Sequence, residues 1–425
     1  MKMKSNSVLV LAALLGACGM ATTAAAQNAN LDRDRAYAAE MVADAKGRGS
    51  SLQGGVGAAG YDKSFYMSDA TGANRLNIAG FAQFRFTVNS HDEDAVAGDD
   101  SLTTGFSNGA IKVAMSGNVG GQDTTFRVRG NFIGGSSPGE FTRDEAWVKH
   151  AFEGGWSIRG GQVRLPLLRE FIVEDRVQLA MDRAGAGWAF GPGFSQGVEV
   201  EYRAESFRVV GVISDGLRTA NTPFDSAAES DFALTGRVEV KIAGVDWKRF
   251  DDFTSWRTQD FGVLVGGAAH YQSGGETVGT ADVDTLAYSI DTQIEGAGWN
   301  GFAAFYGNTV DADAGADTDT FGGVLQAGVF ISDQTELFGR LDAVWLDDDA
   351  FADADDSYIV TAGANYYMIP ESHAVKLTGE VGWALESTDA IFGGTSPLVS
   401  NQATGFLGQS EDNEFVFRVQ VQVSF

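Results

Sequence analysis

The sequence predicts an all-β protein: a sixteen-stranded antiparallel transmembrane β-barrel with short periplasmic turns, long acidic outer loops and an inserted constriction loop. Three observations carry this expectation. Segments of alternating apolar and polar residues recur from Arg75 to the C-terminus. The connections between them alternate between short and long. Glycine supplies 55 of the 425 residues and proline only 6, which suits long strands joined by tight turns.

The N-terminal elements come first. Lys2 and Lys4, the apolar run Val8 to Leu15, and Ala24-Ala25-Ala26 before Gln27 predict an export signal over residues 1–26. Leu15-Gly16-Ala17-Cys18 also fits a lipoprotein box, so lipidation of Cys18 stays open beside simple cleavage. Residues 27–74 form a second region. Ala36, Ala38, Ala39, Met41, Val42 and Ala43 give helical character, and Gly47 and Gly49 end it. Gly54 to Gly60 reads as a linker, giving a short periplasmic helix plus tether; a disordered terminus is the alternative.

The barrel is assigned to residues 75–425. Successive strand side chains point to opposite faces. In the last segment Phe415, Phe417, Val419, Val421, Val423 and Phe425 share one face, and Glu414, Arg418, Gln420 and Gln422 the other. The same dyad recurs over Leu76–Val88, Phe126–Phe132, Val198–Tyr202, Phe232–Val240 and Val375–Trp383. Charged groups are almost absent from the apolar face, which marks a surface toward lipid. Sixteen strands are expected to start near Arg75, Thr103, Gln122, Glu140, Trp156, Phe194, Ser206, Asp231, Thr258, Asp282, Gly298, Thr320, Gln334, Ser357, His373 and Asn413. An even count closes an antiparallel barrel with both termini on one side.

Two connections depart from simple alternation. Gly244 to Arg257 carries Trp247, Phe250, Phe253 and Trp256, and reads as an amphipathic segment at the periplasmic rim. Leu165 to Gly193 is long and both charged and apolar, which is unusual for a loop left in solvent. It is expected to enter the lumen, with Arg164, Arg169, Glu170, Glu174, Asp175, Arg176 and Arg183 at the constriction. Packing at a subunit boundary is the alternative.

The balance of 30 basic against 57 acidic residues repels phosphate backbones and argues against a nucleic-acid partner. One cysteine excludes a disulfide framework, and four histidines leave little for a multi-histidine metal centre. Gly55-Val56-Gly57-Ala58-Ala59-Gly60 fits a dinucleotide fingerprint but lacks the flanking strand and helix. Two G-x-S-x-G matches, at 135–139 and 193–197, lack the strand–turn–helix context of a nucleophile elbow. His91, His150, His270 and His373 do not converge with an acid and a nucleophile, so no catalytic residue and no enzyme activity are assigned. Asp311, Asp313, Asp317 and Asp319 alternate in one outer loop and are weak Ca²⁺ candidates. No other cofactor is expected.

Charge is segregated along the barrel. Residues 75–218 hold 15 basic and 18 acidic residues, whereas 219–425 hold 8 and 33. Arg85, Lys112, Arg127, Arg129, Lys149 and Arg159 fall on inward positions of the first five strands and are expected to line the pore. Arg85, Arg127, Arg129 and Arg159 are expected to face Glu170, Glu174 and Asp175 of the inserted loop. Opposed charges across a constriction bias solute passage.

Several patches resemble the phosphate-selective porin O and P family. Arg143-Asp144-Glu145-Ala146-Trp147 followed by Trp156-Ser157-Ile158-Arg159-Gly160-Gly161-Gln162-Val163-Arg164-Leu165-Pro166 is similar to its central signature. Glu170 to Arg183, Ala362 to Met368 and the terminal Arg418 to Phe425 resemble further segments. Val163-Arg164 stands where the family has Phe-Lys, and a dense Arg/Lys ladder is missing. The resemblance implies a sixteen-stranded, usually trimeric diffusion porin of the bacterial outer membrane, in contact with lipid and lipopolysaccharide. It also implies that terminal Phe425 is read by the barrel-assembly machinery. The expected function is passive diffusion of small hydrophilic solutes or ions. A barrel enzyme and a non-conducting structural or adhesin barrel are the rival classes.

Overall fold

The computed structural model describes residues 57–91, 101–133, 141–244, 246–274, 283–312, 317–347, 356–392, 404–409 and 412–425. The export segment 1–26 with Cys18, the helical stretch near 31–46, and Asp313 lie outside the described residues. The chain divides into two compact units, residues 1–60 and 61–425.

Strands run in chain order as β1 Ala58–Tyr61, β2 Phe65–Ser68, β3 Arg75–Ser90, β4 Leu102–Asn118, β5 Thr124–Asn131, β6 Thr142–Ala151, β7 Trp156–Arg164, β8 Phe194–Arg203 and β9 Phe207–Ser214. They continue as β10 Phe232–Ala243, β11 Gly262–Ser273, β12 Val283–Gly296, β13 Trp299–Ala312, β14 Thr318–Phe330, β15 Thr335–Trp345, β16 Ser357–Tyr367, β17 Val375–Ala384 and β18 Phe415–Ser424. From β3 onward each strand pairs antiparallel with the next, and β18 pairs back onto β3 from Phe415↔Ser90 to Ser424↔Phe81. These sixteen strands close a barrel, starting within a few residues of the positions expected from the dyad pattern. Closure leaves the sheet without a free edge strand, the condition for crossing a bilayer with strands. No helix among the described residues is long and apolar enough to cross a membrane.

The described part of the region 27–74, residues 57–74, contributes β1 and β2. Strand β2 pairs with the start of β3, Phe65↔Ile78 to Ser68↔Arg75, along the part of β3 that β18 leaves unpaired.

Parity decides which side each residue faces. Outward positions keep large exposed apolar side chains, such as Phe84, Val148, Ile213, Val238, Ile290, Leu325 and Val381. Aromatic rings cluster near the strand ends. Trp156 packs on Tyr202 and Tyr202 on Phe207 at one rim, and Trp383 stacks on Phe415 at the other, as in aromatic girdles. The wall is uneven in height: β5 and β9 hold 8 residues each, while β12 and β13 hold 14.

Candidate functional site

The loop after β7 enters the lumen. A segment lying outside the wall could not touch staves on opposite sides of the barrel, and this one does. Toward β3–β5, Arg85 meets Asp182 at 3.0 Å, Lys112 meets Asp175 at 2.5 Å and Arg127 meets Glu174 at 2.6 Å. Toward β10–β18 the wall mostly holds loop backbone. Ser289 donates to the Leu167 carbonyl at 2.6 Å, Asn365 to Leu179 at 2.8 Å, Lys376 to Gln178 at 3.0 Å, Arg340 to Asp182 at 2.8 Å and Gln422 to Arg176 at 2.9 Å. The Met181 amide donates to Glu380 at 3.0 Å.

Local sequence explains the loop's shape. Two short helical turns, α1 Arg169–Ile172 and α2 Gly185–Ala189, are too short to satisfy their own carbonyls. Arg164 and Arg183 satisfy the first. Arg164 donates to the carbonyls of Phe171, Ile172 and Val173, and Arg183 to those of Glu170 and Val173. Arg183 also pairs with Asp175 at 2.5 Å and lies over the Phe171 ring. Gly187 is required where it stands, since a Cβ there would fall 2.0 Å from a Glu170 carboxylate oxygen. Arg218, in the β9–β10 connection, caps the far end through the carbonyls of Trp188, Ala189 and Gly191.

The loop's apolar residues form the core of the molecule. Leu167, Leu168, Phe171, Val173, Val177 and Leu179 are buried against inward side chains including Phe302, Tyr306, Val324, Phe338 and Ile359. Each such Leu or Phe contributes about 1.5–3 kcal/mol relative to exposure. Two other segments join this core. Ile391 and Phe392 of α3 Asp389–Phe392, together with Phe406, enter from the last outer connection. The segment 246–257 lies at the end of the barrel that holds the short turns, where Trp247 donates to the Ala204 carbonyl and Arg257 meets Asp333, and it turns Phe250, Phe253 and Trp256 inward. Phe253 packs on Phe302 at 4.8 Å and donates its amide to the Val177 carbonyl, and Trp256 packs on Tyr367 at 4.7 Å. The partners of Trp256 (Phe330 and Tyr367) close β14 and β16 beside the short turns, so the aromatics cover the lumen at that end.

On the β4–β6 side the contact is ionic. A β-bulge in β6 creates it: Arg129 pairs with Glu145 and Gly130 with Arg143, leaving Asp144 as the extra residue. Asp144 and Glu145 are therefore both buried toward Arg129 instead of alternating across the wall. Arg129 lies 3.2 Å from Glu145, 3.5 Å from Asp144 and 3.4 Å from Glu174, and Lys112 lies 2.9 Å from Asp144. Burial opposes ionisation of Glu174 and Asp175, but Arg127, Arg129 and Arg176 around the first, and Arg183 and Lys112 around the second, hold both carboxyls well below the usual carboxylate range.

Not every expected pairing forms. Arg159 pairs with Glu199 and Lys149 with Glu201, both carboxylates on β8, because register sets Arg159 directly across from Glu199. Arg85 takes Asp182, not Glu170, Glu174 or Asp175. Glu170 faces no basic wall residue of β3–β7; it is fully buried and accepts the Ala184 amide at 2.7 Å. Arg169 reaches the opposite wall, at Glu239 and Gln293. Arg176 stays part-exposed beside Glu174 at 3.0 Å. Sequence reasoning missed Arg218, Arg340, Lys376 and Glu380 as loop partners. The wall members among them stand at inward parity, which was their only signal.

His270 bonds to Thr235 and Gln272, and His373 lies 3.8 Å from Asp252. Asp319 accepts from Thr309 at 2.6 Å, and its amide donates to Asp347. Among the described residues no three His, Cys, Asp or Glu side chains converge as a metal site. At the C-terminus Phe425 exchanges both backbone hydrogen bonds with Gly80 at 2.9 Å, and its ring covers that glycine.

No family model matches the sequence, and no curated protein sequence matches it. Solved structures do match the fold. The anion-selective porin of Comamonas acidovorans aligns at TM-score 0.56 and 13% identity, over 82% of this chain and 99% of that one. OmpF of Salmonella typhi, in complex with daunomycin, aligns at 0.55 and 13%, over 84% and 100%. The trimer form of OmpT, an outer-membrane protein of Vibrio cholerae, aligns at 0.53 and 14%, over 82% and 99%. The chain therefore has the fold of bacterial outer-membrane porin barrels; at these identities the likeness speaks for fold alone. The resemblance to the phosphate-selective porin O and P family narrows to that general porin fold.

Proposed function

We propose that this protein is a narrow outer-membrane porin, passing small hydrophilic solutes by diffusion along one side of its lumen. One observation carries the reading: among the described residues, inward charged side chains keep access to water chiefly on one arc. Side-chain exposure is 26% for Arg127 and Lys149, 19% for Arg159 and 24% for Glu174. On the other arc Arg237, Glu239, Asp291, Glu380 and Arg418 are at 5% or less. The path runs between the β4–β8 wall and the acidic edge of the inserted loop, and its narrowest part is the ionic cluster of Lys112, Arg127, Arg129, Asp144, Glu145, Glu174 and Asp175. No covalent step and no cofactor enter this mechanism, and weak Ca²⁺ bridging at the outer aspartates stays a proposal. The trimer form of one neighbour supports a homotrimer, with lipid and lipopolysaccharide around it. The exchange of hydrogen bonds by Phe425 at the closing seam supports its reading as an assembly signal.

A second reading, a barrel that does not conduct, is favoured by the packed arc. The cavity beside α2, lined by Arg340, Asp342, Glu380, Thr404 and Arg418, measures about 10 Å³, room for one water. Planar-bilayer recording of the purified protein separates the two. Small, stable KCl steps support the porin, and a silent bilayer containing folded barrel overturns it.

A further inference from the structure

The charged pairs lining the open arc are not symmetric toward water. In the pairs made with β8 the cation is the more exposed member, whereas in the β4–β6 cluster Arg129 at 3% is less exposed than Glu145 at 8% and Asp144 at 11%. Arg159 is at 19% beside Glu199 at 5%, and Lys149 is at 26% beside Glu201 at 11%. Arg203 is at 42% beside the same Glu201. A solute entering from the periplasmic rim thus meets cationic heads backed by buried carboxylates.

The constriction differs. Glu174 at 24% is a carboxylate open to water, with Arg127 at 26% on the β5 wall 2.6 Å away and Arg176 at 41% on the loop 3.0 Å away. Among the described ion pairs between loop and wall, Glu174 is the carboxylate most open to water. A solute carboxylate that docks on Arg127 comes within a few ångströms of Glu174. An anion is attracted by the mouth and must share Arg127 with Glu174 at this point. A cation meets the wall cations first. A solute carrying both charges, with its ammonium group on Glu174 and its carboxylate on Arg127, satisfies both members at once.

From this we infer that the preferred solutes are small zwitterions of the α-amino-carboxylate class, selected by the Arg127–Glu174 pair. The inference rests on the porin reading. Its test uses four solutes of one shape: alanine with both charges, lactate with the negative one, alaninamide with the positive one and lactamide with neither. Proteoliposome uptake at near-neutral pH should be faster for alanine than for each of the other three by about threefold, the scale of one part-exposed ion pair. In Glu174→Gln lactate should draw level with alanine, and in Arg127→Gln alaninamide should. A heat-modifiability gel establishes that each variant is a folded barrel, and either variant alone suffices. Equal uptake of alanine and lactamide through wild-type channels that carry KCl current overturns the zwitterion inference and leaves the porin standing. Absence of KCl current overturns both.

Discussion

Along β10–β18 the inward side chains are dry, and many of them hold the inserted loop by its backbone carbonyls. Along β4–β8 the inward side chains are charged and part-wet, and their partners are carboxylates. The same loop serves both arcs. Its apolar face, Leu167 to Leu179, is core to one, and its acidic edge, Glu174 and Asp175, is a channel wall to the other. On the proposed porin reading, the difference assigns pore width to packing on the far side and solute preference to charge on the near side. A loop held only by ion pairs would be free to shift with salt; one seated in a core is not.

The two arcs should therefore respond differently to substitution. The largest effect is expected on the packed arc. Leu168→Ala removes a buried side chain facing a close-packed core and should cost about 2–5 kcal/mol. Urea unfolding of the barrel in lipid vesicles reads this as a lower midpoint; an unchanged midpoint would show the loop is not seated.

Next comes the ionic cluster, where burial splits two neighbouring arginines. Arg129 has a 3% exposed side chain among Glu145, Asp144 and Glu174, which keep Lys112 and Arg127 as further partners, so Arg129→Gln removes a shared buried cation and should cost about 1.5–3 kcal/mol. Reversal of both Arg127 and Arg129 to Glu is accordingly expected to impair folding, a poorer probe of selectivity than one site alone. Arg127→Glu, at the water-exposed pair, should leave the unfolding midpoint within about 1 kcal/mol of wild type and move the reversal potential toward cations. Loss of folding in Arg127→Glu with tolerance of Arg129→Gln would invert the comparison.

The smallest effect concerns pH. A carboxyl whose folded pKa is depressed stabilises above its unfolded value and loses that contribution only as pH falls through the folded value. Glu174 and Asp175 are both depressed. The near-side tie should thus survive acidification from neutrality to about pH 4, where ordinary carboxyls begin to protonate. Conductance that rises steeply near pH 5 would count against it.

Much of this fold was legible in the sequence because lipid imposes parity. An outward residue must be apolar, so Phe417, Val419 and Val421 could be assigned a side without knowing their neighbours. Sixteen starts followed from that rule and from turn length. The inserted loop was legible from composition, since Leu165 to Val173 is too apolar for solvent. Individual partners were not legible, because they depend on register and on one bulge. Arg159 faces Glu199 through a register that no local pattern encodes. Asp144 and Glu145 come together only because β6 gains a residue opposite Arg129 and Gly130. The inward turn of Phe250, Phe253 and Trp256 was missed because an amphipathic aromatic segment at a rim can face lipid as well as lumen; only Phe302 and Tyr367 on the facing wall decide it.

The central claim is that water and solute pass on the Arg127 side and not on the Thr378 side, and cysteine accessibility tests it most directly. In a Cys18→Ser background, Arg127→Cys and Thr378→Cys place one thiol on each arc at inward positions. Thr378 is at 1% exposure and donates to Asn365 at 2.8 Å. A charged methanethiosulfonate reagent applied during single-channel recording should react with Arg127→Cys and change the current in a discrete step, while Thr378→Cys stays unmodified. A fast step with Thr378→Cys, or none with Arg127→Cys in an open channel, would contradict the account.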